Sequence, residues 1–249
     1  MSVFRGTRLR VEEAEGVAML TLTRPEARNA MDGAMLGEWM EALDRLEARP
    51  AAACRVLVLR GEGPVFCAGA DLNYLKALGS QSLEARRVAA HLLGRLLQRL
   101  AAFPAPVLCV VQGAAMGAGL ALTTCADVVL ATPEARIALP EVRLGLAPSV
   151  VLPFVARRLG PSHTAPLLLS GRTITGLQAQ AAGLVHRSSD DLESALADEL
   201  REHLQADPEA SRRAKALLLR LQPLPDEAQV AFGVDRLVEA LGSKFGEEG

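Results

Sequence analysis

A single glutamate, Glu141 in IALPEVRLGLAP (137–148), lies among the apolar residues Ile137, Leu139, Val142 and Leu144. Apolar walls disfavour the charged form of a carboxyl and raise its pKa toward the range where it exchanges protons at neutral pH. Two other strings, VFCAGADL (65–72) and QGAAMGAGLAL (112–122), gather small residues where a backbone can approach a ligand closely. Gly113, Gly117 and Gly119 follow a β-branched run and imitate a dinucleotide turn. Context opposes that reading: two or more strands come earlier, and no acidic residue closes a second strand about twenty residues on. The only tyrosine, Tyr74, is followed by Lys76 at the wrong spacing for a Tyr-x-x-x-Lys dyad. The chain has no G-x-S-x-G elbow, no G-x-x-x-x-G-K-[ST] phosphate loop and no H-E-x-x-H zinc helix. His91, His163, His186 and His203 show no ligand spacing and read as solvated or capping residues. Cys54, Cys67, Cys109 and Cys125 are too scattered for a disulfide framework or a zinc site, and read as reduced, buried, small apolar residues. No metal site is expected.

The elements that position these strings are of α/β class. VAMLTL (17–22), RVLVLR (55–60) and DVVLA (127–131) are β-rich runs. Between the first two, Asp32 is expected to cap a helix with Leu36, Met40, Leu43 and Leu46 on one stripe. A second helix, 84–101, places Val88, Leu92, Leu96 and Leu100 on one face. Residues 100–126 carry no charge and are long enough to pass for a membrane span. Pro104, Pro106 and Gln112-Gly113 break the run, which predicts a buried strand, PVLCVV, and a buried small-residue helix over AAMGAGLALTTCAD. After Pro148 the pattern is helical over 150–159, 161–169, 176–183, 190–205 and 208–221. The stretch 226–242 is amphipathic, and its stripe needs this core or another subunit as partner.

With 249 residues, half of them apolar, the chain can bury one substantial core, and nothing in it demands a second independent domain. A net charge of -2, from 27 basic and 29 acidic side chains, advertises no nucleic-acid partner. The opening MSVFRGTRLRVEE has no secretory pattern, so a cytoplasmic location and no membrane partner are expected.

Five strings in order, RPEARNAM (24–31), VFCAGADL, QGAAMGAGLAL, IALPEVRLGLAP and SGRTITGLQAQAAGLV (170–185), resemble the crotonase family, the enoyl-CoA hydratase/isomerase superfamily. The resemblance implies a β-β-α spiral core with the active site over 1–190, and a helical trimerisation region over 191–249, assembled as a homotrimer or hexamer. It further implies catalysis on an acyl thioester, with the backbone N–H groups of Ala70 and Ala118 stabilising an enolate oxyanion and Glu141 as acid/base. No tightly bound cofactor is implied; coenzyme A, or the phosphopantetheine of an acyl carrier protein, carries the substrate. Its contacts would fall on Ala27, Arg28, Ala68, Asp71 and Leu72, with Arg28 suited to a phosphate.

One departure narrows the reaction. The family's hydratases place a second glutamate in the glycine-rich helix, and here that position is Ala121. Two single-glutamate branches are similar in this respect. The dehydratases of 3-hydroxy-3-methylglutaryl thioesters in polyketide β-branching resemble CRVLVLRG (54–61) and VLPFVARRLG (151–160), although FCAGADL is the general family loop; the other branch is the Δ3,Δ2-enoyl-CoA isomerases. The expected function is therefore dehydration or hydration of a branched acyl thioester, with isomerisation next. Other crotonase chemistry such as decarboxylation, and a silent or RNA-binding homologue, come after these.

Overall fold

The structure, a computed structural model, describes residues 1–246. In chain order the elements are β1 (Ser2–Arg5), β2 (Leu9–Ala14), β3 (Val17–Leu22), α1 (Gly33–Glu47), β4 (Val56–Gly61), α2 (Leu72–Gly79), α3 (Leu83–Ala101), β5 (Val107–Val111), β6 (Ala114–Met116), α4 (Ala118–Cys125), β7 (Val128–Ala131), β8 (Arg136–Ala138), α5 (Leu152–Ser170), β9 (Thr173–Ile174), α6 (Gly176–Ala181), β10 (Arg187–Ser188), α7 (Leu192–Gln205), α8 (Pro208–Leu221) and α9 (Glu227–Phe245). Short 3-10 helices occupy Pro25–Ala27 and Pro140–Leu144. The last three residues of the expected helical region 191–249 lie outside the described residues.

Side chains alternate across a strand, and this sheet uses both of its faces. Leu57 and Leu59 of β4, with Val107, Cys109 and Val111 of β5, enter the main core. Val56, Val58, Leu108 and Val110 face the other way and pack on Ala195 and Leu196 of α7. A sheet covered on both faces explains why these strands read as continuous apolar runs. The main sheet has the order β1-β2-β3-β4-β5-β7-β10, antiparallel up to β3 and parallel beyond it. A second sheet, β6-β8-β9, stands beside it.

Asp32 caps α1 as expected, accepting the Met35 N–H at 2.8 Å. The buried face of α1 also takes in Met35 and Trp39, while Met40 is only partly buried. On α3 the expected stripe is corrected: Val88 is 58% exposed, and the buried face runs through Ala90, Gly94, Leu97 and Ala101 as well as Leu96 and Leu100. The α3 face turns because α9 lies across it and α4 beneath it.

The uncharged stretch resolves into β5, β6 and α4, and every residue of α4 is buried. Ala114–Met116 is a strand where helix was expected, since it pairs in parallel with β8. Among the described residues no helix is long and apolar enough to cross a membrane. The two helices expected at 150–159 and 161–169 form one element, α5, kinked at Gly160 (φ 66°, ψ 169°) ahead of Pro161. The amphipathic C-terminal stretch is α9, capped by Asp226 and laid on α2 and α3 of the same chain.

Candidate active site

Three parts of the chain meet at the site, the first of them a pair of adjacent segments. Residues 27–31 and 67–71 run side by side: the Ala68 N–H donates to Arg28 O (3.0 Å), Met31 N–H to Gly69 O (2.8 Å) and Asp71 N–H to Met31 O (2.9 Å). Because the groups of an extended chain alternate in direction, the Ala70 N–H between these bonds points away from Met31. Among the described residues it donates to no protein acceptor. The second segment is the start of α4. Ala118 is its first residue, and a first-turn N–H has no partner within the helix and carries the positive end of the helix dipole. The Ala118 N–H likewise finds no protein acceptor among the described residues. Ala70 and Ala118 border the same apolar cavity.

Glu141 comes from the 3-10 helix Pro140–Leu144 that follows β8. Its carboxylate presses on Gly117, where a Cβ would stand 2.3 Å from Oε1. Gly117 sits at φ 51°, ψ -115° at the start of α4, a conformation and a contact that leave room for no side chain. Burial raises the Glu141 carboxyl from 4.5 to about 7, and a bond from its own backbone N–H pulls it partly back. Oε2 is buried with no hydrogen-bond partner. The apolar surroundings differ from those expected from the sequence. Ile137 and Leu139 are fully buried, but Leu144 is 38% exposed, and Ala70 and Leu146 border the same cavities as Glu141 while Gly117 lies against its carboxylate. A carboxyl that ionises near neutrality beside two unbonded N–H donors can move a proton next to a carbonyl whose oxygen those donors hold.

An open cleft of about 370 Å³ leads to this point and is bordered by Arg28, Ala68, Ala70, Leu72, Gly117 and Glu141. Ala27 and Asp71, the other expected carrier contacts, do not border it. Ala27 closes the 3-10 helix before Arg28, and Asp71 caps α2 through the Asn73 and Tyr74 N–H groups while pairing with Arg24 at 2.8 Å. Burial pushes the Asp71 carboxyl up, but these bonds outweigh it and hold the pKa below the ordinary value. Ala121 is fully buried in the core and borders neither the cleft nor the cavity beyond it.

Residues 12–244 match the family described as enoyl-CoA hydratase/isomerase. Similar chains include a putative enoyl-CoA hydratase of Thermus thermophilus, 34% identical over 210 residues (82% of this chain, 81% of the relative). The 2,3-dehydroadipyl-CoA hydratase of Escherichia coli is 37% identical over 223 residues, 84% of either chain. An enoyl-CoA hydratase structure from Shewanella pealeana superposes with TM-score 0.83 at 31% identity, covering 97% of this chain and 91% of that one. Pseudomonas aeruginosa AtuE superposes with TM-score 0.83 at 35% identity, over 97% and 94%.

The chain belongs to the enoyl-CoA hydratase/isomerase family.

Its α/β architecture is the crotonase fold. In this member of the enoyl-CoA hydratase/isomerase family, sequence reading missed several residues that build the site. Arg24 holds the caps of two helices, at 2.8 Å from Asp71 and 3.3 Å from Asp32. Asn29 is fully buried and donates to Glu62 O and Val65 O while accepting the Arg24 N–H. Both lie inside RPEARNAM, and an arginine and an asparagine flanking a Pro-Glu-Ala turn were the signal available. Leu75, Leu93, Leu146 and Leu237 border the cavity beyond Glu141, and nothing in their spacing marks them. The histidines stay apart as expected. His186 accepts the Val129 N–H at 2.9 Å, and the described residues contain no metal-binding cluster.

Proposed function

We propose that this protein is an acyl-thioester hydratase/dehydratase that works through an oxyanion-stabilised enolate, with Glu141 as its one acid/base group. The observation that carries the reading is the buried Glu141 carboxyl, its Oε2 without a hydrogen-bond partner, beside the free Ala70 and Ala118 N–H groups. The thioester oxygen sits between those two donors. Ionised Glu141 takes the proton at the carbon beside the carbonyl, and the pair of electrons becomes the enolate. The protonated glutamate then hands the same proton to the departing 3-hydroxyl, the carbon–oxygen bond breaks, and water and a 2-enoyl thioester leave. Hydration is the same path reversed. The relatives whose printed names are enoyl-CoA hydratase and 2,3-dehydroadipyl-CoA hydratase support a hydration chemistry.

The carrier is coenzyme A or the phosphopantetheine arm of an acyl carrier protein. Arg28, Arg136 and Arg143 are exposed on the cleft wall, and guanidinium groups suit its phosphates. For the acyl group, the cavity beyond Glu141 is lined by leucine, valine, alanine and proline together with Ser149, and by no cation, which favours an uncharged, short or branched acyl group over one ending in a carboxylate. The subunits assemble as a homotrimer or hexamer; Leu217, Leu218 and Leu221 of α8, up to 81% exposed, support a covered face there.

A second reading, Δ3,Δ2-enoyl-CoA isomerisation, is favoured by Ala121: with no second carboxylate on α4, one base moving a proton between two carbons completes that reaction. Product mass spectrometry in D2O separates the two, using wild type and Glu141→Gln on 3-hydroxyacyl, 2-enoyl and 3-enoyl thioesters of coenzyme A and of a carrier protein. Water gained or lost, and abolished by the substitution, supports the hydratase/dehydratase. Deuterium uptake with double-bond migration and no change in water makes it an isomerase. Activity untouched by Glu141→Gln sinks both.

A further inference from the structure

Past Glu141 the cleft gives way to two small apolar cavities. The first, about 70 Å³, is bordered by Glu141, Leu146 and Val150 among others. The second, about 40 Å³, ends against Met31, Leu36, Tyr74 and Leu78. Ala70, Ala118, Leu75 on α2, Leu93 on α3 and Leu237 on α9 border both, and the three leucines are the large side chains among them that stand between the two cavities. All three are half-buried, unlike the leucines packed in the core. Their meeting depends on a close approach of α3 and α9. A Cβ on Gly94 would stand 2.5 Å from Val230 Cγ1, and the absence of one lets α9 settle beside Leu93.

Cavity size translates into chain length. A space of this kind holds one water-sized group per 10–15 Å³ or so, which gives about five groups for the first cavity and about three for the second. Resting on the acyl-thioester reading above, we infer that Leu75, Leu93 and Leu237 set the acyl chain length of this enzyme. Chains of about four to six carbons fill the first cavity. A longer chain must push a leucine aside to reach the second. Neither cavity is bordered by a lysine, arginine or histidine, so a distal carboxylate would be buried without a partner.

The test is calorimetric titration of saturated acyl-coenzyme A thioesters, from butanoyl to decanoyl, and of free coenzyme A into wild type, Leu93→Ala, Leu237→Ala and Leu75→Phe. Saturated thioesters undergo neither hydration nor isomerisation, so the result is independent of the reaction Glu141 performs. Wild-type affinity should rise to hexanoyl and then fall. Each alanine variant should shift the decanoyl-to-butanoyl affinity ratio by about 10-fold or more toward the longer chain, the effect of one pocket methylene or larger. Leu75→Phe should weaken hexanoyl while keeping butanoyl, and it tests the same rule if losing a leucine unfolds the helix pair. Equal affinity of the wild type for hexanoyl and decanoyl, or one length profile shared by all the variants, overturns the inference while leaving the proposed reaction standing. No thioester binding at all overturns both.

Discussion

At the scale of single residues, Glu141 has two measurable consequences. Its carboxyl must be ionised to take a proton in either direction, and burial has raised it to about 7. The expected kcat/KM therefore climbs through a single ionisation near pH 7 and levels off above it; a flat profile from pH 5 to 9 would exclude Glu141 as the base. The same burial affects folding. A carboxyl with a raised folded-state pKa favours the folded state at low pH, and that contribution is lost as pH rises from the unfolded value of 4.5 through the folded value of about 7. Glu141→Gln removes the buried charge, so above pH 7 the variant should be more stable than wild type by about 3 kcal/mol, the two converging below pH 4. Denaturant titrations at pH 4 and pH 8 check this. That Glu141 should be desolvated was readable from its string. Its seat on Gly117 was not, because the sequence marked that glycine as one of the small residues of QGAAMGAGLAL and as part of a misleading cofactor-like pattern, and a contact between separate segments leaves no trace in local spacing.

At the scale of elements, the turn Pro25–Ala27 and the residues after it hold the cleft wall in place. Asn29, at φ 54°, connects this turn to the end of β4 through Glu62 O at 2.9 Å and Val65 O at 2.8 Å. Asn29→Ala strands those carbonyls and the Arg24 N–H, and should cost about 2–4 kcal/mol in a urea melt. A loss under 0.5 kcal/mol would show that water replaces the asparagine at little cost. Several elements were legible: β3, β4 and β7 fall on the β-rich runs, α3 and α9 on the stretches of helical or amphipathic pattern, and α1 where Asp32 and its apolar stripe put it. The short ones were not. β6 hides in a run of alanines and glycines that favours helix, and only its pairing with β8 makes it a strand. β9 and β10 are two residues each, too short to show a period. α2 is capped by Asp71, whose capping role was concealed within the string that carried the family resemblance.

At the scale of the whole molecule, two kinds of apolar surface are left uncovered. The cavities past Glu141 face inward. Leu217, Leu218 and Leu221 face outward from α8, whose only buried residue is Lys215, paired with Asp127 at 2.5 Å. If subunits cover α8, Leu221→Glu should lower the sedimentation coefficient toward that of a 26.4 kDa monomer without lowering the helical signal in circular dichroism. An unchanged assembly would place the subunit contact elsewhere. The proposed oxyanion donors lead to a different kind of consequence. Every amino acid except proline supplies the same N–H, so codon changes at positions 70 and 118 alter the bulk beside the donor and leave the donor in place. On the proposed mechanism, heritable loss of the reaction is concentrated at the codon for Glu141 and at those that shape the backbone. A lineage could trade one acyl substrate for another through its leucine codons while the anion trap passes unchanged from parent to descendant.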